Sequence, residues 1–117
     1  MVTLVDYAAA LHSVQSEAKL LSREFSRDAA LALRASIEGS LAGLTEPCEA
    51  FEDVNQHNAC RQIHEQAATL LALLRELLEL GRPVQQEVAT HLARQLVATI
   101  DRHRPLLDLN DGPKPAR

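Results

Sequence analysis

A leucine-rich stripe in the second half of the chain restricts the fold more than any other feature of the sequence. From Cys60 to Leu77 the apolar residues recur at alternating spacings of three and four, the pattern of one helix face. The stripe consists of Cys60, Ile63, Ala67, Leu70, Leu74 and Leu77. It is widened on both sides by Leu71, Leu73, Leu78 and Leu80. We therefore predict a long helix that is apolar over more than half of its circumference near its end.

Two further apolar stripes occupy the first part of the chain. The first runs from Leu4 to Phe25 and predicts a helix over residues 3–25. The second predicts a helix that Ser26 caps and that ends near Leu44. The two stripes are out of register by two residues, which favours a turn near residues 25–28. One long kinked helix also fits, because no Gly or Pro lies near the change of phase.

The start of the leucine-rich helix has several candidates. Thr45 can cap a helical turn over TEPCEAFEDV, where proline is tolerated in the first turn and acidic residues suit the helix dipole. The apolar phase of this segment disagrees with that of the leucine stripe. We therefore predict a break or kink within Asn55–Asn58, with either asparagine capping the helix that follows.

A short connection joins this helix to the last one. Gly81 favours a helix end and Pro83 a helix start, so the two helices are predicted to be antiparallel neighbours. Pro105 is expected to end the final helix. Its predicted buried stripe is Val88, Leu92, Leu96 and Ile100.

These elements predict an all-α fold, an antiparallel up-and-down bundle of four principal helices. The chain has 117 residues, enough for one domain, which we place at residues 1–106 with a disordered tail over residues 107–117. Apolar residues make up 46% of the chain but aromatic residues only 3%, so the core is aliphatic. Strand-type alternation and internal repeats are absent from the sequence.

Charge and hydropathy disfavour several classes of partner. The formal net charge of −4 disfavours binding to nucleic acid or to anionic lipid. The first residues lack the basic segment of a secretory signal, and no apolar run approaches the length of a membrane span. Two cysteines do not make a disulfide framework. We expect a cytoplasmic protein that has no cofactor.

One group of residues has metal-ligand character. His57, Cys60 and His64 lie about one helical turn apart, so a thiolate and imidazoles on one face could hold zinc or copper. A closed site needs a fourth ligand, for which Cys48, His91 or the same residues of a second copy in a dimer are candidates. Cys60 also occupies a buried position of the leucine stripe, where a small apolar side chain is expected. We favour this core interpretation. The sequence also shows no nucleophile elbow, phosphate loop or paired Glu-x-x-His motif, so we predict no enzyme activity.

The breadth of the leucine surface is the feature that bears on function. Helices one and two of the same chain could cover it, or it could form a patch for a homodimer or for a partner helix. The candidate interaction residues are Leu70, Leu71, Leu73, Leu74, Leu77, Leu78 and Leu80. We predict a small non-enzymatic protein that self-associates and acts through protein–protein contacts, as an adaptor, chaperone-like or regulatory module. The alternative is a metal- or thiol-responsive regulator that uses Cys60 with His57 and His64.

Overall fold

The computed structural model describes the backbone of residues 4–41, 51, 53–80 and 83–107, and the side chains of 9–39, 51, 53–79 and 85–105. Four α-helices account for most of these residues: α1 (Leu4–Arg23), α2 (Arg27–Ser36), α3 (Val54–Leu80) and α4 (Pro83–Leu107). A π-helical turn, Ile37–Leu41, continues α2. No strand occurs in this part of the chain. The prediction of an all-α bundle of four helices is confirmed.

A capped turn separates α1 from α2, so the first two stripes form two helices. Ser26 has extended backbone angles (φ −142°, ψ 152°), and its side chain accepts a hydrogen bond from the N–H of Ala29 at 3.0 Å. This bond satisfies one of the free N–H groups at the start of α2. Asp28 lies in the first turn, where its charge suits the helix dipole. The predicted Ser26 cap is confirmed.

The second helix changes geometry before its predicted end. The α-helix stops at Ser36, and the next five residues form the π turn. Glu38 in this turn pairs with Arg34 at 3.5 Å and with Arg75 of α3 at 2.7 Å. The turn is therefore tied to a neighbouring helix. The predicted end at Leu44 and the predicted turn at Thr45 lie outside the described residues.

The start of α3 differs from the prediction. The side chain of Asp53 accepts hydrogen bonds from the N–H groups of Asn55 (2.8 Å) and Gln56 (3.1 Å), so Asp53 is the cap. The helix then continues without a break through Asn55–Asn58. The predicted break and the asparagine caps are therefore wrong, and the kink predicted as the alternative to the break stays a prediction. Phe51 explains the change of apolar phase, because it is buried from a position outside the helix.

Two expectations for α4 are also corrected. The helix does not end at Pro105 but continues to Leu107, which the sequence had placed in the tail. Only two helical residues follow the proline, so the missing N–H affects only the last turn. Val88, predicted to be buried, is 44% exposed, whereas Ala89 and Ala93 are buried. Small side chains at these positions let α4 approach its neighbours closely. The rest of the predicted tail, residues 108–117, lies outside the described residues.

The four helices pack in the cyclic order α1, α2, α3, α4, and each contacts two neighbours. Every predicted member of the α3 stripe is buried. The fully buried large side chains are Leu11, Leu21, Leu33, Ile37, Ile63, Leu70, Leu74, Leu77, Leu96 and Ile100. One core therefore draws on all four helices.

Polar contacts link α1 to α4 along the length of their interface. Gln15 contacts α4 at Val97, Asp101 and Arg104, whereas Ser22, further along α1, contacts Arg94. Higher residue numbers on α1 thus meet lower numbers on α4, the order that the predicted antiparallel arrangement requires. Arginines also bind carbonyl groups in the last turns of two helices: Arg94 binds the carbonyl of Ser22 in α1 at 3.0 Å, and Arg27 that of Leu78 in α3 at 3.4 Å.

Candidate interaction surface

The leucines proposed as an interaction surface lie largely within the chain's own core. Leu70, Leu71, Leu74 and Leu77 are buried. Leu73 and Leu78 are half-buried and pack against the core. The side chain of Leu80 lies outside the described residues. The structure therefore favours the alternative in which helices of the same chain cover this face, and an exposed surface has to be sought elsewhere.

Cys60 belongs to the core as well. Its side chain is fully buried, in a cluster that includes Ala59 and Ile63. His57 and His64 on the same helix are half-buried, and burial lowers the pKa of His64 from its ordinary value of 6.5. A thiol buried among apolar groups is generally inert, because its reactive and metal-binding form is the thiolate.

The other proposed ligands do not complete a metal site in the described residues. Within these residues, no three His, Cys, Asp or Glu side chains are placed together so that they could hold a metal ion. The exposed His91 of α4 lies with its Nε2 atom 3.1 Å from the side-chain nitrogen of Gln95. Cys48 lies outside the described residues. The metal alternative stays a prediction.

Exposed large apolar side chains identify a different surface. Among the described residues they are Leu20 (54% exposed), Val54 (70%) and Val88 (44%). Single exposed apolar residues are common on protein surfaces and need no explanation. Leu20 differs from the two valines because it lines a groove of about 490 Å³, which we call the α1–α2 groove. Its lining residues are Glu17, Leu20, Arg23, Glu24, Ser26, Asp28, Ala29 and Ala32.

The turn between α1 and α2 creates this groove. The Ser26 cap starts α2 directly after the end of α1, so the two helices lie side by side. Ala29 and Ala32 are one turn apart on α2, and both are half-buried. Because these side chains are small, they leave a concave surface beside Leu20. The groove thus combines a large apolar side chain with a shallow apolar floor.

The charges around the groove are predominantly negative. Glu17 lies about one turn before Leu20 on α1, Glu24 directly follows the end of α1, and Asp28 lies in the first turn of α2. Arg23 is the one cation among the lining residues. None of these four side chains takes part in a salt bridge or a side-chain hydrogen bond within the part of the chain that the structure describes. The groove therefore carries an excess of negative charge that the described residues do not neutralise.

A second groove, between α3 and α4, has a different character. It has a volume of about 350 Å³ and is lined by Gln62, Glu65, Gln66, Thr69, Leu92 and Gln95. The Oε1 atom of Gln62, one of the lining residues, lies 2.7 Å from Nε2 of His103, so a polar contact joins α3 to α4 beside this groove. The pKa of His103 is lowered, first by desolvation and then by the charge of Arg102. Leu92 is the one large apolar side chain of the lining, and it is only partly exposed.

The sequence indicated neither groove. Leu20 is adjacent to Leu21, which belongs to the buried stripe, so the pattern gave it no separate role. Its position in a groove depends on which side of α1 the second helix packs against. A leucine one position outside an otherwise regular stripe is the only local signal that could have suggested it.

Comparison of the chain with protein-family models, with curated proteins and with solved structures finds no match. None of the described helices combines the length and the apolar character that crossing a membrane requires.

Proposed function

We propose that the protein is a non-enzymatic helical module that acts through protein–protein contacts in the cytoplasm, as an adaptor, chaperone-like or regulatory protein. The observation that carries the proposal is Leu20, which is 54% exposed in the wall of the α1–α2 groove. Burying the rest of this side chain against a partner would contribute about 1 kcal/mol. Concave sites with an apolar anchor and a polar rim are typical of helix recognition.

The titratable groups with a shifted pKa lie outside the α1–α2 groove. Catalytic sites tend to concentrate groups whose pKa values are shifted by burial and by specific partners. Among the described groups, His64 and His103 have a lowered pKa, and desolvation is the main cause for both. Neither histidine lines the α1–α2 groove.

The partner is either a second copy of this chain or a different helical protein. Light scattering under reducing conditions and with a chelator present distinguishes the two. A dimer that Leu20→Ser dissociates would assign the groove to self-association, whereas a monomer would assign it to another protein.

Site-specific photo-crosslinking in cells that produce the protein tests the proposed function. A photoreactive phenylalanine derivative replaces Leu20 in one variant and Val88 in the other. Val88 is the matched control, because it is an exposed apolar residue on α4 and is not among the residues that line the groove. We expect a discrete protein adduct from position 20 and none from position 88. No adduct at position 20, or the same adducts from both positions, would contradict the proposal.

The metal- or thiol-responsive alternative has its own measurement. Metal content is determined on the purified protein and on the Cys60→Ser variant. Bound metal that Cys60→Ser removes would support that alternative, and the absence of metal together with unchanged behaviour of the Cys60→Ser variant would end it.

A further inference from the structure

We infer that the α1–α2 groove binds a basic amphipathic helix of a partner protein. An apolar residue of that helix packs against Leu20, and its Lys or Arg side chains pair with Glu17, Glu24 and Asp28. The inference rests on the proposed function and specifies the chemistry of the partner.

The apolar part of the groove fits helix side chains. Leu20 on α1 faces a floor formed by Ala29 and Ala32 on α2. A volume of about 490 Å³ accommodates a few side chains but not a folded domain. Anchors spaced by three or four residues on one helix face satisfy this geometry, as in other helix-in-groove complexes.

The charged residues that line the groove favour a positively charged partner helix. Three carboxylates surround Leu20, and the single guanidinium of Arg23 offsets only one of them. Arg27 and Arg94 keep their positive charges, but neither lines the groove, and their guanidinium groups lie at other contacts, Arg27 at the Leu78 carbonyl of α3 and Arg94 at the Ser22 carbonyl. Cationic side chains flanking an apolar anchor would complement this rim and accelerate association.

The same charges disfavour a second copy of the chain as the occupant. In a two-fold dimer the same patch is contributed by both subunits. Two acidic rims would then face each other, and like charges across an interface are costly. The formal charge of −4 on the whole chain adds to this repulsion.

Two synthetic peptides test the inference with the full chain. One is a fluorescein-labelled amphipathic helix of Leu and Lys, about 18 residues long, which gives about five turns. The other has the same sequence with Glu in place of Lys. Fluorescence anisotropy should show that the Leu/Lys peptide binds and that the Leu/Glu peptide does not. Raising the salt from about 0.05 M to about 0.5 M should weaken binding, because exposed charges are screened.

Matched variants locate the site. Glu17→Gln with Glu24→Gln should weaken binding of the Leu/Lys peptide by about tenfold or more. The control, Glu76→Gln with Glu79→Gln, removes two exposed carboxylates from α3 and leaves the groove intact. It should change the affinity by less than about twofold. Leu20→Ser should weaken binding strongly, and Val88→Ser should not. Glu17 is half-buried and the other substituted residues are exposed, so unchanged melting curves verify the folding of all four variants.

The remaining outcomes overturn the inference in different ways. Equal losses in the groove and control variants would show nonspecific attraction to an acidic protein. A loss with Leu20→Ser alone would reject the basic partner but leave a protein contact through Leu20, and so the proposed function, in place. A dimer that dissociates with Leu20→Ser would make a second copy the occupant. No effect from any groove variant would reject the site itself.

Discussion

At the scale of single residues, a buried glutamine links α1 to α4. Gln15 is 3% exposed. Its Nε2 group donates to Asp101 Oδ1 at 2.6 Å and to the carbonyl of Val97 at 3.4 Å, and its Oε1 atom accepts from Arg104. The amide thus has partners at both ends, which is what burial of a polar group requires. No sequence pattern indicated this contact, because Gln15 lies beside the apolar stripe and its partners are about 80 to 90 residues further along the chain.

Replacing this amide should cost stability. Gln15→Leu keeps the approximate volume but removes the hydrogen bonds to Asp101 and Arg104, and we expect a loss of about 1 kcal/mol. The loss stays near this value because both partners reach solvent. Urea unfolding measures it, with Gln95→Leu on the exposed face of α4 as the control. A gain in stability from Gln15→Leu would show that the polar link is not stabilising.

Leu74 tests the core position that the stripe predicted most directly. The side chain has no exposed surface. Leu74→Ala should therefore lower the free energy of unfolding by about 2–5 kcal/mol, because it removes apolar contacts and leaves a cavity. Leu20→Ala should lower it by less than about 1 kcal/mol. Comparable losses in the two variants, measured by urea denaturation, would mean that the assigned faces are wrong.

At the scale of the elements, periodicity predicted the existence of the helices better than their ends. Val88 and Ala89 are both about one turn before Leu92, so the sequence pattern fits either as the buried residue. Packing against the neighbouring helices selects the alanine. The start of α3 was ambiguous because several residues near it can cap a helix. Burial of Phe51, a tertiary contact, accompanies the choice of Asp53.

Asp53→Ala separates the observed cap from the predicted ones. It removes the acceptor of two backbone N–H groups and should cost about 1 kcal/mol. Asn58→Ala changes an exposed residue inside the helix and should be nearly neutral. Thermal unfolding of the two variants measures both effects. A larger loss from Asn58→Ala would restore the predicted cap.

At the scale of the whole molecule, the sequence predicted the fold class but not the surface. The all-α bundle follows from apolar stripes that each helix carries locally. The candidate site does not, because it requires the packing of α2 against α1 and the internal covering of the α3 leucines. A wide apolar helix face can be covered by other helices of the same chain or by a partner protein. The sequence of the face is the same in the two cases and does not distinguish them.

The stability of the whole chain should depend on pH through two histidines. Burial lowers the pKa of His64 and is the main cause of the lowered pKa of His103, so the folded state binds protons less readily than the unfolded state. The contribution of the two neutral histidines to the free energy of unfolding is fully present above the ordinary pKa of 6.5. It decreases as the pH falls through and below that value, because the unfolded state then binds protons more readily than the folded state. Urea unfolding between about pH 8 and pH 5 should show this loss. His64→Gln should make the slope shallower, and an unchanged slope would assign the pH dependence to other groups.

The two arginine–carbonyl bonds, from Arg94 to Ser22 and from Arg27 to Leu78, couple the ends of different helices. Each bond joins the last turn of one helix to the body or the first turn of another, so neither terminus can fray without breaking a contact outside its own helix. Opening of α1 at its last turn therefore breaks a contact with α4, and opening of α3 at its last turn breaks a contact with α2. Amide protons near residues 20–23 and 76–80 should accordingly exchange with solvent more slowly than those of a terminus that only its own helix holds.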